Sequence, residues 1–259
     1  MKASFKPVLL ASAFLMAAAT AQAAEVSVSV GADTISGNTT FSALTGTGTL
    51  AFSDLLLGAL DIAKITTTGY APATLTEDPE TFAIKAAAPV TALTGEFTGS
   101  SFNATKVNTA GGATMTTTKK NAATTGGSLT VTNLTVDLTT KSIYADLIGG
   151  NNVGTVTQQK VWNFANLEGA TDFATTDGVH TSVNKLTGLT ITTEAFDIFA
   201  KSLGLTNFGK TSMAGIEDYG VIDSTISVTT TAVPEPSAYA LLVAGLAAVG
   251  FAAKRRRAA

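Results

Sequence analysis

Hydrophobic and polar residues alternate along much of the chain with a period of two, which is the pattern of strands that bury one face. The clearest case is residues 128–147. Their apolar positions keep one phase as far as Val131 and take the opposite phase from Leu134 onward. Because a change of phase within one strand requires an extra residue, the pattern predicts a β-bulge near Thr132 and Asn133. The apolar positions after the following turn continue as the return strand of an antiparallel hairpin.

The same criteria predict further strands and the segments that separate them. Residues 26–30 form the first strand, and 39–52 form a strand pair with Gly46 and Gly48 as turn or bulge positions. The other predicted strands are 65–69, 81–85, 89–97, 153–164, 186–192 and 221–231. The segments 70–79 and 166–184 are predicted as loops, and 108–127 is predicted as a long mobile loop or a hairpin with a flexible tip.

One segment, 194–203, has clear helical spacing. Phe196 and Phe199 lie on one side of it and are predicted to face the core. Thr193 is a suitable N-cap, and Gly204 follows the last turn, where a glycine commonly ends a helix.

A second, shorter helix is predicted at 55–63, with Ser53 as its N-cap. Gly58 makes this helix about 1 kcal/mol less stable than an alanine there would. A buried strand is therefore the alternative.

The composition agrees with a strand-rich body. The chain has 45 threonines and 24 glycines, and threonine is a β-branched residue that favours strands. The predicted fold class is all-β: a single antiparallel β-sandwich or barrel-like domain over 24–232, with one or two short helices and with Trp162 in the core. A disordered low-complexity chain is the alternative, which the regular apolar positions oppose.

The N-terminus has the three parts of a signal peptide. Lys2 and Lys6 precede an apolar segment, and Ala21 and Ala23 occupy the small-residue positions before a cleavage site. Residues 1–23 are therefore predicted to be a signal peptide handled by the Sec machinery, with a mature N-terminus at Ala24. An N-terminal anchor that is retained is the alternative.

The C-terminal segment, 233–259, also has three parts in a fixed order. Pro234, Glu235 and Pro236 form an extended motif, because each proline disfavours helix in the residue before it. Residues 237–253 carry no charge and form a predicted transmembrane helix at the short end of the spanning range. The cations that follow are predicted to anchor this end on the cytoplasmic side of the membrane, and they are Lys254, Arg255, Arg256 and Arg257.

This order of parts resembles the PEP-CTERM sorting signal of Gram-negative bacteria. The resemblance implies that an exosortase cleaves near Pro234-Glu235-Pro236 and that the protein crosses the inner membrane before release or re-anchoring at the cell surface. It also implies association with exopolysaccharide or biofilm. An ordinary membrane anchor with a chance Pro-Glu-Pro is the alternative.

Part of the body is also similar to other exported PEP-CTERM proteins of unassigned function. That similarity implies no activity, and it lies in residues 127–134, 143–146, 149–151 and 161–164.

Charge and cysteine content exclude several function classes. Residues 24–233 contain ten lysines, no arginine and 18 acidic residues, so this part of the chain is clearly negative. A nucleic-acid-binding surface needs a basic patch, and none is predicted. The chain has no cysteine, so it has neither disulfides nor a thiol nucleophile.

Candidate catalytic and metal-binding residues are few. His180 is the only histidine, and it is predicted to be a solvated loop residue rather than part of a catalytic triad. Asp137 and Asp146 lie on neighbouring predicted strands, and a glycosidase would need such a carboxylate pair. The remaining candidates are Glu217 with Asp218 as further carboxylates, Asp172 with Asp177 for calcium, and Tyr144 or His180 for a haem-like ligand. We expect these carboxylates to be surface residues that keep the domain soluble. No cofactor or metal is predicted.

Three functions from different classes remain. The preferred prediction is a non-enzymatic structural protein of the cell surface or extracellular matrix. The second is a surface module that binds carbohydrate or another small ligand, and the third is a polysaccharide hydrolase. A deep apolar pocket would favour the second function, and a cleft with two carboxylates would favour the third.

Overall fold

The computed structural model describes residues 23–118, 120–233 and 243–247 of the chain. Most of the predicted signal peptide, the motif Pro234-Glu235-Pro236 and the four terminal cations lie outside the described residues; Ala23 is described and exposed. The elements are β1 (Ala24–Ser29), β2 (Thr34–Ser36), β3 (Thr39–Phe52), α1 (Asp54–Ile62), β4 (Thr66–Tyr70), β5 (Thr74–Glu77), β6 (Ile84–Phe97), β7 (Ser101–Thr109), β8 (Gly112–Thr117), β9 (Gly127–Asp137), β10 (Ser142–Gly149), β11 (Gly154–Asn163), β12 (Asn166–Glu168), β13 (Asp172–Ala174), β14 (Gly178–Thr187), β15 (Thr190–Ile191), α2 (Thr193–Ser202), α3 (Asn207–Ala214) and β16 (Gly220–Ala232).

The strands form one curled antiparallel sheet, a half-barrel, which confirms the all-β prediction. The main path through the sheet is β12-β14-β16-β3-β6-β7-β9-β10-β11-β15. β6 joins the two walls of the half-barrel, since its first half pairs with β3 and its second half, from Val90, pairs with β7. The two short strands predicted at 81–85 and 89–97 are therefore largely one strand. Pro89 lies at the point where the pairing of β6 changes from β3 to β7. This position suits proline, which has no N–H group to donate to a neighbouring strand.

The predicted hairpin and its bulge are both confirmed. In the ladder between β9 and β10, Tyr144 lies opposite Thr135 and Asp146 lies opposite Thr132, so β9 holds one extra residue. Asn133 occupies this bulge with a φ of 53°, a left-handed conformation that asparagine tolerates better than most residues. Its side-chain amide donates a hydrogen bond to Asp146 at 3.1 Å.

The predicted strand pair at 39–52 is wrong, because β3 is a single strand of 14 residues. Its irregularity lies at Ala43, where φ is 50° and the register with β16 shifts. Gly46 is needed for close packing instead, because a Cβ there would lie 2.7 Å from the backbone oxygen of Thr225.

Both predicted helices form, and their caps follow the expected chemistry. Ser53 caps α1 by accepting a hydrogen bond from the Leu56 amide. The N-cap of α2 is Thr192 rather than Thr193, and its hydroxyl accepts from the Ala195 amide. Phe199 is buried, while Phe196 is half-buried against the same core.

A third helix, α3, was not predicted, because its residues are mostly polar and include a glycine. Thr206 caps it. Gly209 packs so closely against Ala123 that a Cβ would lie 2.1 Å from the Ala123 carbonyl oxygen. Tertiary packing therefore stabilises a helix that intrinsic propensity opposes.

The predicted loops at 70–79 and 166–184 are wrong, because each contains strand, whereas 108–127 follows the hairpin alternative, in which β8 pairs with β9. β5 lies in 70–79, β8 lies in 108–127, and β12, β13 and most of β14 lie in 166–184. The tip of the second segment is packed rather than mobile, since Thr124 is fully buried and donates a hydrogen bond to the Leu203 carbonyl.

Two hydrophobic clusters form the core. The larger lies under the helices and includes Trp162, which is 6% exposed and meets Phe199 edge-on with ring centroids 6.4 Å apart. This confirms the core prediction for Trp162. The smaller surrounds Phe41 and Phe102, whose ring centroids are 5.4 Å apart.

The predicted transmembrane helix at 237–253 is described only at 243–247, which are helical and exposed. Among the residues with described structure, no helix is both long enough and apolar enough to span a bilayer.

Candidate ligand-binding trough

The curled sheet encloses a cavity of about 120 Å³, here called the trough. Its walls are the inward-facing residues of β3, β6, β7, β8, β9, β14 and β16. Aliphatic side chains such as Leu50, Val107 and Val136 dominate the lining. An apolar concave site with a few polar groups is the usual form of a small-molecule site.

The trough exists because small residues occupy one level of the sheet. Asn184, Ser224, Gly48 and Ala88 are successive cross-strand partners on β14, β16, β3 and β6. Paired residues share a face of the sheet, and all four line the trough. A Cβ at Gly48 would make an ordinary van der Waals contact, 3.7 Å from a methyl group of Thr109, so this level has room for one added methyl group.

The helices close one end of the trough. Leu56 of α1, Phe199 of α2 and Met213 of α3 all line it. Trp162 lies at this end because it packs against Phe199. Tyr219 lies there too, since its carbonyl accepts a hydrogen bond from Ser53, the N-cap of α1.

The segment 169–177, here called the strap, bridges the two walls away from the helices. It leaves β12, which pairs with β14, and includes β13, which pairs with β7 on the other wall. Hydrogen bonds fix it: the Ala104 amide donates to the Thr171 carbonyl at 2.8 Å, and the Thr175 amide donates to the Ser100 carbonyl at 3.0 Å. Phe173 of the strap lines the trough.

Four buried polar atoms of trough-lining residues have no hydrogen-bond partner among the described residues. They are Thr109 Oγ1, Trp162 Nε1, Asn184 Oδ1 and the Tyr219 hydroxyl oxygen. Buried polar groups in folded proteins are nearly always bonded, so several such atoms around one cavity require an explanation. Burial also raises the pKa of Tyr219 to about 12, which keeps its hydroxyl neutral.

The described lining of the trough has no acidic side chain and neither lysine nor arginine. Its titratable side chains are His180 and Tyr219. The site therefore suits an uncharged molecule, because an unpaired charge is costly to bury.

The structure corrects the prediction for His180, which belongs to β14 and not to a solvated loop. Its Nε2 lies 2.8 Å from the Thr176 carbonyl oxygen and 2.8 Å from the Thr230 hydroxyl. His180 lines the trough, whereas Tyr144 does not, so the two are not brought together as a haem-like pair.

None of the candidate carboxylates Asp137, Asp146, Glu217 and Asp218 is among the described lining residues of the trough, and the three aspartates accept hydrogen bonds from backbone amides. Asp137 accepts hydrogen bonds from the Thr139 and Thr140 amides. Burial raises the pKa of Asp137, but the hydrogen bonds from these amides and from the Thr139 hydroxyl outweigh it, so the pKa lies below its ordinary value. Asp146 accepts from the Gln158 amide at 2.9 Å. Asp218 likewise accepts from the Gly220 amide at 3.0 Å.

Calcium ligation at Asp172 and Asp177 receives no support from the described geometry. Asp177 accepts a hydrogen bond from the Ala232 amide at 2.7 Å. Across the described ranges, no group of three or more histidine, aspartate or glutamate side chains is arranged to hold a metal ion.

Sequence reasoning missed the trough, although two signals point to it. The inner positions of β3 and β6 are small, with Gly46 and Gly48 on one strand and Ala86 and Ala88 on the other. β14 turns polar residues inward and leaves Val183 66% exposed. An inverted alternation of this kind marks a strand that faces a cavity instead of a packed core.

Comparison with known proteins bears on the C-terminal segment. No curated protein and no solved structure matches the chain, and the family match reaches the β-domain only at its last residue, Ala232. Residues 232–257 match the PEP-CTERM protein-sorting motif, so the chain carries the sorting signal of an exported protein that is an exosortase substrate.

Proposed function

We propose that this protein is delivered to the cell surface or extracellular matrix by an exosortase and that its half-barrel binds a small, mainly apolar ligand there. The observation that carries the proposal is the trough, an apolar cavity of about 120 Å³. Cavities of roughly 150 Å³ lined by aliphatic and aromatic side chains bind benzene-sized molecules. Of the three predicted functions, the ligand-binding module is therefore the one that the geometry supports best.

The proposal includes no catalytic step. A hydrolase of the glycosidase type needs two carboxylates that face a common cleft. Among the residues that the structure describes around the trough there is no carboxylate, and Asp137 and Asp146 accept backbone hydrogen bonds elsewhere. Binding and delivery account for these features without chemistry.

The test is thermal unfolding of the processed protein, purified from the native host, with and without toluene. A ligand that binds the folded state raises the unfolding temperature. At a ligand concentration a hundredfold above Kd, the free energy of unfolding rises by about 2.7 kcal/mol. Ala88→Leu adds three carbons to a trough-lining position and should abolish the shift. Ala87→Leu is the matched control, because the adjacent residue of the same strand faces the other way. An equal toluene shift in both variants would place binding elsewhere.

A second candidate function is association with exopolysaccharide in a biofilm, which the sorting signal implies only by resemblance. The observation that favours it is a ladder of hydroxyl groups across β4, β8 and β9. Thr66 bonds to Thr116, and Thr114 bonds to Thr130 at 2.8 Å. Thr66 and Thr68 are exposed at the edge of this face, where hydroxyl groups can bond to a glycan.

Co-sedimentation with exopolysaccharide from the native host tests this second function. Thr66→Val with Thr68→Val removes two exposed hydroxyls with little change in shape and should lower the bound fraction. Thr67→Val is the control, because its side chain faces the opposite side of β4. Equal binding by all three proteins would show that the ladder is not the contact surface.

A further inference from the structure

We propose that the end of β16, residues Ala232 and Val233, is part of the surface that the exosortase binds, and that Asp177 occupies this surface until the enzyme takes its place. The inference goes beyond the proposed function, because it concerns processing and does not depend on a ligand in the trough. It follows from the hydrogen bonds at the end of β16, the position of the sorting motif and the chemistry of proline.

The last residues of β16 are held on both sides of the strand. The Ala232 amide donates a hydrogen bond to the Asp177 carboxylate at 2.7 Å, and the Val233 amide donates to the Asn38 carbonyl at 2.8 Å. Ala232 also lies opposite Thr39 in the ladder between β16 and β3. The hydrogen-bonded backbone of the β-domain therefore reaches the residue directly before the sorting motif.

The composition of the motif makes these two amides important to a processing enzyme. Proteins that bind an extended peptide commonly hold it through main-chain hydrogen bonds. Pro234 and Pro236 have no N–H group, so Glu235 is the residue of the motif that can donate such a bond. The nearest donors on the N-terminal side of the motif are the amides of Ala232 and Val233. In the folded β-domain both amides are already bonded.

The bond to Asp177 is the one that can be exchanged without unfolding of the sheet. Its acceptor is an exposed side chain, which can rotate away while the backbone stays in place. The bond from Val233 instead ends on a backbone carbonyl, that of Asn38 in the turn between β2 and β3. Because a hydrogen bond to an exposed group contributes only modestly to stability, an acceptor of the enzyme can replace the Asp177 carboxylate at the Ala232 amide.

The strap around Asp177 is fixed by other contacts as well. The Thr176 carbonyl accepts a hydrogen bond from the Thr230 hydroxyl, and His180 Nε2 lies 2.8 Å from the same carbonyl oxygen. These contacts do not involve the Asp177 side chain. Loss of its carboxylate is therefore a local change that frees the Ala232 amide and leaves the strap in place.

The experiment is pulse–chase labelling of the full-length protein in the native host, which measures the rate at which the precursor is converted to the processed form. Asp177→Ala removes the acceptor, so we expect conversion about five- to tenfold faster than in the wild type, the ratio that one hydrogen bond gives. Asp177→Asn keeps an acceptor oxygen without the charge and should give an intermediate rate. Asp172→Ala is the matched control and should not change the rate, because Asp172 is an exposed aspartate of the strap that pairs with β7 on the opposite wall.

An insertion tests whether the effect depends on the position of the motif. Five residues, Gly-Ser-Gly-Ser-Gly, placed between Val233 and Pro234 give the motif free amides on its N-terminal side. Processing of this insertion variant should be faster than that of the wild type. Addition of Asp177→Ala to it should give no further acceleration, since the enzyme no longer needs the Ala232 amide.

The outcomes decide the inference without reference to the trough. Conversion of Asp177→Ala at the wild-type rate or more slowly would overturn it, because the bond to Asp177 would then not compete with the enzyme. Equal acceleration by Asp172→Ala would also overturn it, since the cause would be the charge of the strap. Further acceleration by Asp177→Ala in the insertion variant would do the same. Toluene binding tests the proposed function separately.

Discussion

The imidazole ring of His180 stacks on the phenyl ring of Phe173, with centroids 4.8 Å apart and planes inclined by 16°. Phe173 in turn stacks on Phe102 of β7 at 5.2 Å. These three rings connect β14, the strap and the opposite wall of the half-barrel. The stack therefore holds the strap against the trough.

Phe173→Ala removes the central ring of this stack and should loosen the strap. Because Phe173 is half-buried, the loss in global stability should be modest, about 1–2 kcal/mol. Hydrogen exchange should speed up at the Thr175 and Ala104 amides, which bond across the strap. Exchange in the β9–β10 hairpin should not change. Phe208→Ala is the control, because Phe208 is exposed on α3; an unchanged Thr175 amide in the Phe173 variant would contradict the assignment.

Tyr219 should make the protein sensitive to alkaline pH. Its pKa is about 12 in the folded protein and about 10 when exposed, so the unfolded chain loses this proton first as the pH rises. The stability contributed by the neutral phenol is complete below pH 10 and is lost between pH 10 and 12. The expected loss is on the order of 2–3 kcal/mol.

Urea unfolding at pH 8, 10 and 11.5 measures this effect. Tyr219→Phe should remove most of the decline above pH 10, because the titrating group is gone. Tyr144→Phe should retain it. A decline of equal size in the Tyr219 variant would assign the alkaline transition to other groups.

Two glycines with opposite surroundings offer a matched test of the packing. A Cβ at Gly112 would lie 1.9 Å from the Val131 carbonyl oxygen, so Gly112→Ala forces β8 and β9 apart and should cost several kcal/mol. A Cβ at Gly58 in α1 meets nothing within 4 Å, so Gly58→Ala should stabilise the protein by about 1 kcal/mol. Chemical denaturation gives both values, and an undiminished stability of Gly112→Ala would contradict the register of β8 on β9.

The sequence predicted those parts of the fold that depend on residues close together in the chain. The phase change between Val131 and Leu134 located the bulge, because Val131 before it and Leu134 and Val136 after it all line the trough. Ser53 located the start of α1, because capping is a local interaction. The sorting motif is also local, and its residues were found from their order alone.

The parts that were missed depend on distant contacts. β14 places His180, Ser182 and Asn184 on the trough and leaves Val179 69% exposed, so its pattern suggests neither a core strand nor a surface strand. α3 forms because Gly209 fits against Ala123, which lies far away in sequence. The four buried polar atoms of the trough become visible only when the walls are brought together.

The sorting signal gives the last prediction, because its parts have separable roles. The sequence predicts that Pro234 and Pro236 belong to the motif that the processing enzyme reads, and that the apolar segment and the cations Lys254 to Arg257 hold this motif at the membrane. Pro234→Ala with Pro236→Ala should therefore leave the protein exported but full-length and membrane-bound. Removal of Lys254 to Arg257 should instead weaken orientation and retention, since these positive charges are predicted to keep this end of the chain in the cytoplasm.

Cell fractionation with intact-mass measurement in the native host distinguishes these results. Pro79→Ala, at an exposed proline of the β-domain, is the control and should be processed normally. The β-domain of the double-proline variant should bind toluene as the wild type does, because the trough and the motif share no residue. If that variant is trimmed and released like the wild type, the Pro-Glu-Pro motif is a linker, and recognition by the exosortase must reside in the apolar segment or the cations.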